Sequence, residues 1–244
     1  MALRHHEIAE ANHRILNPYT EEKLRLLGEV CRLNADQRLL DLCCGKGEML
    51  CTWSRDHGIS GVGVDISEVF LAATRERAAE LGVTDRVRFV HADASTYRDD
   101  SVPYDLVSCI GATWIGGGLS GTIDLMRLLV RAGGLMLIGE PYWIVEPTSD
   151  AEDALGHGFT TLAGTLDRFV ERNVELVEMV LADGDSWDRY VAAQWWTVSE
   201  WLQDHPEDPE YAAMREFLDL GRRSYMEYSR QQLGWGIFVL RVGG

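Results

Sequence analysis

The amino-acid sequence predicts a doubly wound α/β fold, a mostly parallel sheet covered by helices on both faces. Short apolar runs alternate with helix-like stretches from Arg38 to Glu140, the rhythm of repeated strand–helix–strand units. Three of those runs end in a glycine turn or an aspartate, at Asp41–Gly47, Asp65 and Asp93. Those are the places where an open parallel sheet presents groups to a ligand. The 244 residues are 46% hydrophobic, enough to fill both sides of such a sheet within one large domain. No repeat or low-complexity tract interrupts them.

The elements follow in order. Residues 20–33 make an amphipathic helix: Thr20 caps it, Glu21 and Glu22 suit its dipole, and Leu24, Leu27, Val30 and Cys31 share one face. Arg38–Leu42 is the first strand, and it runs into Cys43-Cys44-Gly45-Lys46-Gly47. A helix follows from Glu48 to His57, closed by Gly58. Gly61–Asp65 is the second strand, and Ser67 caps a helix reaching Gly82. Val87–Asp93 and Tyr104–Ile110 are the third and fourth. A helix over Gly121–Ala132 stops at Gly133-Gly134, and the fifth strand, Leu135–Glu140, is broken by Pro141. Val174–Leu181 and Gly236–Val242 read as two more strands. Between them lies a long helical stretch, Trp187–Arg230, interrupted at Pro206 and Pro209.

Composition narrows the partners. With 23 Lys+Arg against 39 Asp+Glu the formal charge is −16, and no basic run occurs, so nucleic acid is not expected. The segment Met1–Glu10 is polar, and no apolar run approaches the roughly 20 residues that span a bilayer. A cytoplasmic protein without a membrane partner is expected. The five cysteines read as reduced thiols, and neither Cys-x-x-Cys nor His-x-x-x-His spacing occurs, so no metal is expected. Cys43 and Cys44 are expected to point apart on an extended strand end, as packing groups.

The chemistry sits at the strand ends. Gly45 and Gly47 would let a ligand approach the backbone. Asp65 follows Gly45 by 20 residues, the separation of a carboxylate that holds ribose hydroxyls. Asp93, one strand further, would accept from an adenine amino group. A dinucleotide-binding oxidoreductase using NAD(P) is the competing reading. Its third glycine would fall at Leu50, its turn would begin on glycine rather than Cys43, and Glu48 would repel phosphate. A nucleoside ligand without pyrophosphate fits better.

Leu39-Leu40-Asp41-Leu42-Cys43-Cys44-Gly45-Lys46-Gly47, with Asp65, Asp93-Ala94 and the turn Arg131-Ala132-Gly133-Gly134, resembles the class I S-adenosylmethionine-dependent methyltransferases. The resemblance covers residues 36–140 and the final strand pair. Asn17–Leu24, Gly111–Ile115 and Gly139–Trp143 further resemble a bacterial group of small-molecule methyltransferases. Cys44-Gly45-Lys46-Gly47 is also similar to messenger-RNA cap methyltransferases, but the acidic charge argues against that branch. The resemblance implies a Rossmann-like seven-stranded sheet with an antiparallel last strand, a helical N-terminal segment and a helical lid insertion. It implies one domain over residues 1–244: an N-terminal helical cap (1–35), a cofactor-binding core (36–145), and substrate-side helices with the last two strands and a lid at 187–230 (146–244).

The implied cofactor is S-adenosyl-L-methionine, released as S-adenosyl-L-homocysteine, and the implied partner is a small-molecule substrate. Asp41, Cys43, Gly45 and Gly47 would surround the methionine portion and Asp65 would hold the ribose. Ile66 would pack on the adenine, Asp93 and Ala94 would meet its edge, and Ile110 completes the set. Cys43 stands where the family usually has glycine. Transfer would be an in-line displacement in which the protein supplies alignment and desolvation. A general base matters only if the acceptor must lose a proton. Glu140, at the end of the fifth strand, is the best-placed carboxylate. Tyr142 and Trp143 beside it, Trp114 opposite and Tyr19 would wall the substrate.

Among the histidines, His13 is the catalytic candidate, because its segment closes over the cofactor in this family. His5 and His6 share that segment, His157 could line the pocket, and His91 is expected to be a satisfied core residue. Trp187, Val191, Trp195, Val198 and Leu202 recur at helical spacing and are expected to dock the lid. Asp183, Asp185 and Asp188 read as a solvated loop and first turn. A nucleoside-binding module without catalysis remains the alternative from a different class.

Overall fold

Five parallel strands, β1 (Arg38–Leu42), β2 (Ser60–Asp65), β3 (Val87–His91), β4 (Tyr104–Ile110) and β5 (Val130–Trp143), join β6 (Val174–Leu181) and β7 (Leu233–Val242) in one sheet. The order is β3-β2-β1-β4-β5-β7-β6. The last strand, β7, lies antiparallel between β5 and β6. This computed structural model describes residues 3–99, 103–156 and 158–243. From β1 the chain winds outward to β3, then returns to β4 and winds the other way. The crevice at this reversal lies above the carboxyl ends of β1 and β4.

Alternating side chains feed two cores, as expected for a sheet covered on both faces. Leu40, Leu42, Val62, Val107 and Ile138 face one side, with α5 (Leu119–Arg127) and α7 (Leu162–Glu171). Leu39, Leu106, Leu137 and Val239 face the other, with α2 (Glu21–Val30) and α3 (Glu48–His57). Local signals place the helices. Thr20 Oγ1 accepts from Lys23 N at 3.3 Å to start α2. Ser67 Oγ accepts from Phe70 N at 3.1 Å to start α4 (Glu68–Glu80). Gly58, at φ +75°, ends α3 as expected.

Three elements depart from expectation. The helix before β5 stops at Arg127 rather than Ala132, because Val130 already pairs with Tyr104 and residues 131–134 bulge before Leu106 and Leu135 resume the register. Pro141 does not break β5, which continues to Trp143. Odd-numbered residues here turn their backbone away from β7: Gly139 O accepts from Gly111 N at 2.8 Å, and Trp143 N donates to Thr160 O at 2.9 Å. The missing N–H of Pro141 therefore faces the side where β4 has already ended at Ile110. His91 is exposed rather than a core residue, since β3 is an edge strand; its Nε2 lies 2.9 Å from Ile66 O.

The chain before β1 includes α1 (Leu3–Ala9). The long helical stretch is α8 (Gly184–Asp204) and α9 (Tyr211–Ser224), followed by a π-helical turn at Tyr225–Ser229, and the break falls at the prolines. Ala9 packs with Val198, Leu202, Met214 and Leu218, so α1, α8 and α9 form one satellite layer. α6 (Ser149–Leu155) and α7 fill the connection from β5 to β6. Among the described residues, no helix is long and apolar enough to cross a membrane.

Candidate active site

A cavity of about 700 Å³ opens above the carboxyl ends of the central strands. Its floor is the turn after β1, where Cys43, Gly45 and Gly47 have φ of +58°, +53° and +65°. The chain therefore coils at Cys43 instead of remaining extended, as the adjacent cysteines had suggested. Cys43 occupies a left-handed conformation that costs a non-glycine residue about 1–2 kcal/mol. The glycines are required by the protein's own packing as much as by any ligand. A Cβ at Gly45 would lie 2.7 Å from Leu16 Cδ1, and one at Gly47 would strike the Thr74 methyl.

Asp65 ties the turn together. Its Oδ2 accepts from Gly45 N and its Oδ1 from Ser67 N, each at 2.8 Å. It is 7% exposed and lines the cavity. Asp41, 4% exposed, accepts from the Ser108 hydroxyl at 2.7 Å. Burial pushes Asp41 up to about 7, with the nearby Asp65 charge adding to the shift. Ile66 is 56% exposed on the cavity wall. Asp93 is exposed and spends Oδ1 on the Ser95 backbone N–H and hydroxyl, at 2.9 and 2.7 Å. Cys43, Ala94 and Ile110 complete the lining on this side, so every expected cofactor residue borders the cavity.

The expected substrate residues divide. Glu140 lines the cavity at 3% exposure with an unpartnered Oε1, and burial pushes its carboxyl up to about 7. Asp65 and Glu140 stand three strand spacings apart, about 14 Å, room for a nucleoside between them. Trp114, 72% exposed on the turn Thr113–Gly116, also lines the cavity. Tyr19 does too, stacked on Trp235 with ring centres 5.7 Å apart. Tyr142 and Trp143 do not line the cavity. The Tyr142 ring covers Gly234, where β7 comes closest to it, and Trp143 is buried behind Phe159, 6.4 Å away ring to ring. Phe159 and Trp187 occupy the wall in their place. Trp187 belongs to the aromatic stripe of α8, whereas Phe159 carries no signal of its own in the sequence.

His13 stands outside the cavity, in a polar knot that holds the N-terminal segment down. Lys46 Nζ, from the glycine turn, donates to the carbonyls of Glu10, Ala11 and His13 at 2.8, 2.7 and 2.8 Å. The buried Glu10 carboxylate accepts from Tyr190 and Gln194 of α8 at 2.5 and 2.6 Å and lies 2.8 Å from His13 Nδ1. Burial opposes that charge, yet the His13 and Tyr190 bonds hold Glu10 below the usual carboxylate range. Glu10, not His13, reaches the cavity lining.

The other expectations are readily placed. His6 lines the cavity, His5 pairs with Glu210 at 2.6 Å, and His157 lies outside the described residues. Asp183 is the N-cap of α8 and pairs with Lys23 at 2.7 Å, and Asp188 accepts from Tyr225, so both have structural partners. Val198 and Leu202 are buried against the cap, as a docking stripe requires. Glu48 does not stand as a free negative charge, because Arg77 binds both its oxygens at 2.7 and 2.8 Å. Leu50 remains the stronger objection to a pyrophosphate turn: it is fully buried, and it fills the space a Cβ on Gly61 would need. Among the described residues, no group of three or more His, Cys, Asp and Glu side chains is gathered as a metal site.

Residues 39–134 match the family model described as a methyltransferase domain. The chain is 47% identical over 238 residues to the uncharacterized protein YjhP of Escherichia coli strain K12, covering 96% of each. Its fold superposes with a TM-score of 0.93 on a SAM-dependent methyltransferase from Geobacter sulfurreducens in complex with S-adenosyl-L-homocysteine, at 48% identity and 98% coverage of both chains. A SAM-dependent methyltransferase from Thiobacillus denitrificans, also in complex with S-adenosyl-L-homocysteine, gives 0.92 at 45% identity and 98% coverage of both.

Proposed function

The chain belongs to the class I S-adenosylmethionine-dependent methyltransferases, and from that premise we propose that it methylates a small-molecule acceptor by in-line displacement. The observation that carries this reading is the row of buried carboxyls, Asp65, Asp41 and Glu140, along one cavity that crosses the ends of β2, β1 and β5. The cavity volume suits the cofactor with a small acceptor beside it. When bound, S-adenosylmethionine supplies a methyl group already activated on sulfur. Asp65 accepts from the ribose hydroxyls. Asp41 and the Cys43–Gly47 turn would face the cationic methionine portion, Ile66 would pack on the adenine, Asp93 with Ala94 would meet its edge, and Ile110 completes the set.

The residues across the reversal take the acceptor. Glu140 and Trp114 face it from the ends of β5 and β4, and Tyr19 borders it from the cap. The cap (1–35) and the lid (187–230) exclude water over the core (36–145), joined through Glu10. Cytoplasmic placement accords with the acidic surface and with cysteines that all remain free. Two measurements test the reading. With S-adenosylmethionine carrying a labelled methyl group and a cell extract, label is expected among low-molecular-weight products; label confined to protein or nucleic acid contradicts a small acceptor. With a chiral isotopic methyl group, inversion is expected, and retention contradicts a single displacement. Tight cofactor binding with no transfer to any fraction would favour the nucleoside-binding module.

A further inference from the structure

Among the described residues, Glu140 is left with unfinished business: it is 3% exposed, and its Oε1 has no hydrogen-bond partner. A buried carboxylate oxygen in that position is costly unless it is protonated or meets a donor, best of all a cation. The same cavity is lined by aromatic rings: Trp114, next to the Thr113 that hydrogen-bonds Glu140, and further along Phe159, Trp187 and the stacked pair Tyr19 and Trp235. A buried carboxylate in a cavity lined by aromatic faces favours a cationic guest with an apolar body. The long cations of the cavity are already engaged. Lys46 is spent on three carbonyls, and Arg14 lies 3.8 Å from both Glu48 and Glu80. An anionic acceptor would thus meet carboxylates, with both long cations among the described lining residues already paired.

On the reading that the chain methylates a small molecule, we propose that the acceptor is an amine with an apolar or aromatic body, its nitrogen held by Glu140 and its body against the aromatic wall. The amine arrives as an ammonium ion and passes a proton to the Glu140 carboxylate. The freed nitrogen lone pair then forms the bond to the methyl carbon. The carbon–sulfur bond breaks with its electron pair left on sulfur, giving the thioether product, and Glu140 yields its proton to water. The surroundings suit this transfer. Burial raises Glu140 to about 7, opposed by a hydrogen bond from Thr113 beyond β4 and by the Arg168 guanidinium of α7. β7 presents Gly236 opposite it, which does not titrate.

The test uses protein loaded with S-adenosyl-L-homocysteine and titrated calorimetrically with three amines (2-phenylethylamine, benzylamine and tryptamine), and separately with 4-ethylphenol and phenylacetate. At least one amine is expected to bind about tenfold more tightly at pH 8 than at pH 6, because a carboxyl near 7 goes from about one-tenth to nine-tenths ionised over that range. In Glu140→Gln the amine should bind at least tenfold more weakly at pH 8 and lose its pH dependence. Binding of S-adenosyl-L-homocysteine by the same variant confirms that it is folded. If none of the three amines binds, whether or not 4-ethylphenol or phenylacetate does, or if the glutamine variant keeps the tenfold rise, the amine assignment is overturned. If S-adenosyl-L-homocysteine itself does not bind the parent protein, the methyltransferase reading falls with it.

Discussion

Replacing Asp41 by asparagine isolates the electrostatic load at the centre of the cavity. Asp41 is 4% exposed and accepts from Ser108 at 2.7 Å, an acceptor role that an asparagine oxygen preserves. What the substitution removes is the charge. Folding raises the carboxyl from its usual 3.8 to about 7, chiefly through desolvation. A group with a raised pKa holds its proton more tightly in the folded chain, so stability falls as pH climbs from 3.8 towards 7 and levels off above. By that linkage, Asp41 withdraws about 3 kcal/mol of stability between pH 5 and pH 8. Urea denaturation of the cofactor-free parent and Asp41→Asn at those two pH values reads this directly. The variant is expected to gain about 3 kcal/mol on the parent as pH rises, with Glu140 cancelling because both proteins contain it. The variant should also bind S-adenosylmethionine more weakly, having lost the carboxylate proposed to face the cation. A stability gap that stays constant between pH 5 and pH 8 would refute the argument, because Asp41 would then ionise without penalty.

Three further outcomes follow from the same geometry. Asp65→Ala leaves the Gly45 and Ser67 N–H groups without their acceptor and removes the proposed ribose partner, so cofactor affinity measured by calorimetry should drop by about 1–3 kcal/mol. Cys43→Gly relieves a left-handed non-glycine residue and should raise thermal stability by up to about 1 kcal/mol, part of the relief being offset by glycine's greater unfolded entropy. Lys46→Met strips the donor from three carbonyls at the end of the N-terminal segment. Limited proteolysis there should accelerate, and no change in cleavage would contradict the clamp.

Much of the framework was legible because its signals are local. The boundaries of α3, β4 and β6 rest on a glycine stop or on an apolar run within a few residues of each end, and the structure reproduces them. That the residues expected to hold the cofactor share one cavity was legible for the same reason: Asp41, Gly45, Asp65 and Asp93 sit at the ends of consecutive strands, and sequence order is spatial order there. The lining near Glu140 was only half legible. Pro141 reads as a strand breaker unless it is known that β4 ends two residues short of it. Tyr142 and Trp143 adjoin Glu140 in sequence but turn into the packing around Gly234 and Phe159, which arrive from distant segments. His91 looked internal because its strand is apolar, and the edge position of β3 is a property of the whole sheet. The hub at Glu10 has no local signal, because a single glutamate in a polar segment carries no sign that α8 will cover it.

The most direct test of the account is a crystal structure of the chain with S-adenosyl-L-homocysteine bound. The ribose hydroxyls are expected within hydrogen-bond distance of Asp65, the adenine against Ile66, and the sulfur turned across β1 and β4 towards Glu140. A ribose held elsewhere, or a sulfur facing away from Glu140 and Trp114, would contradict it.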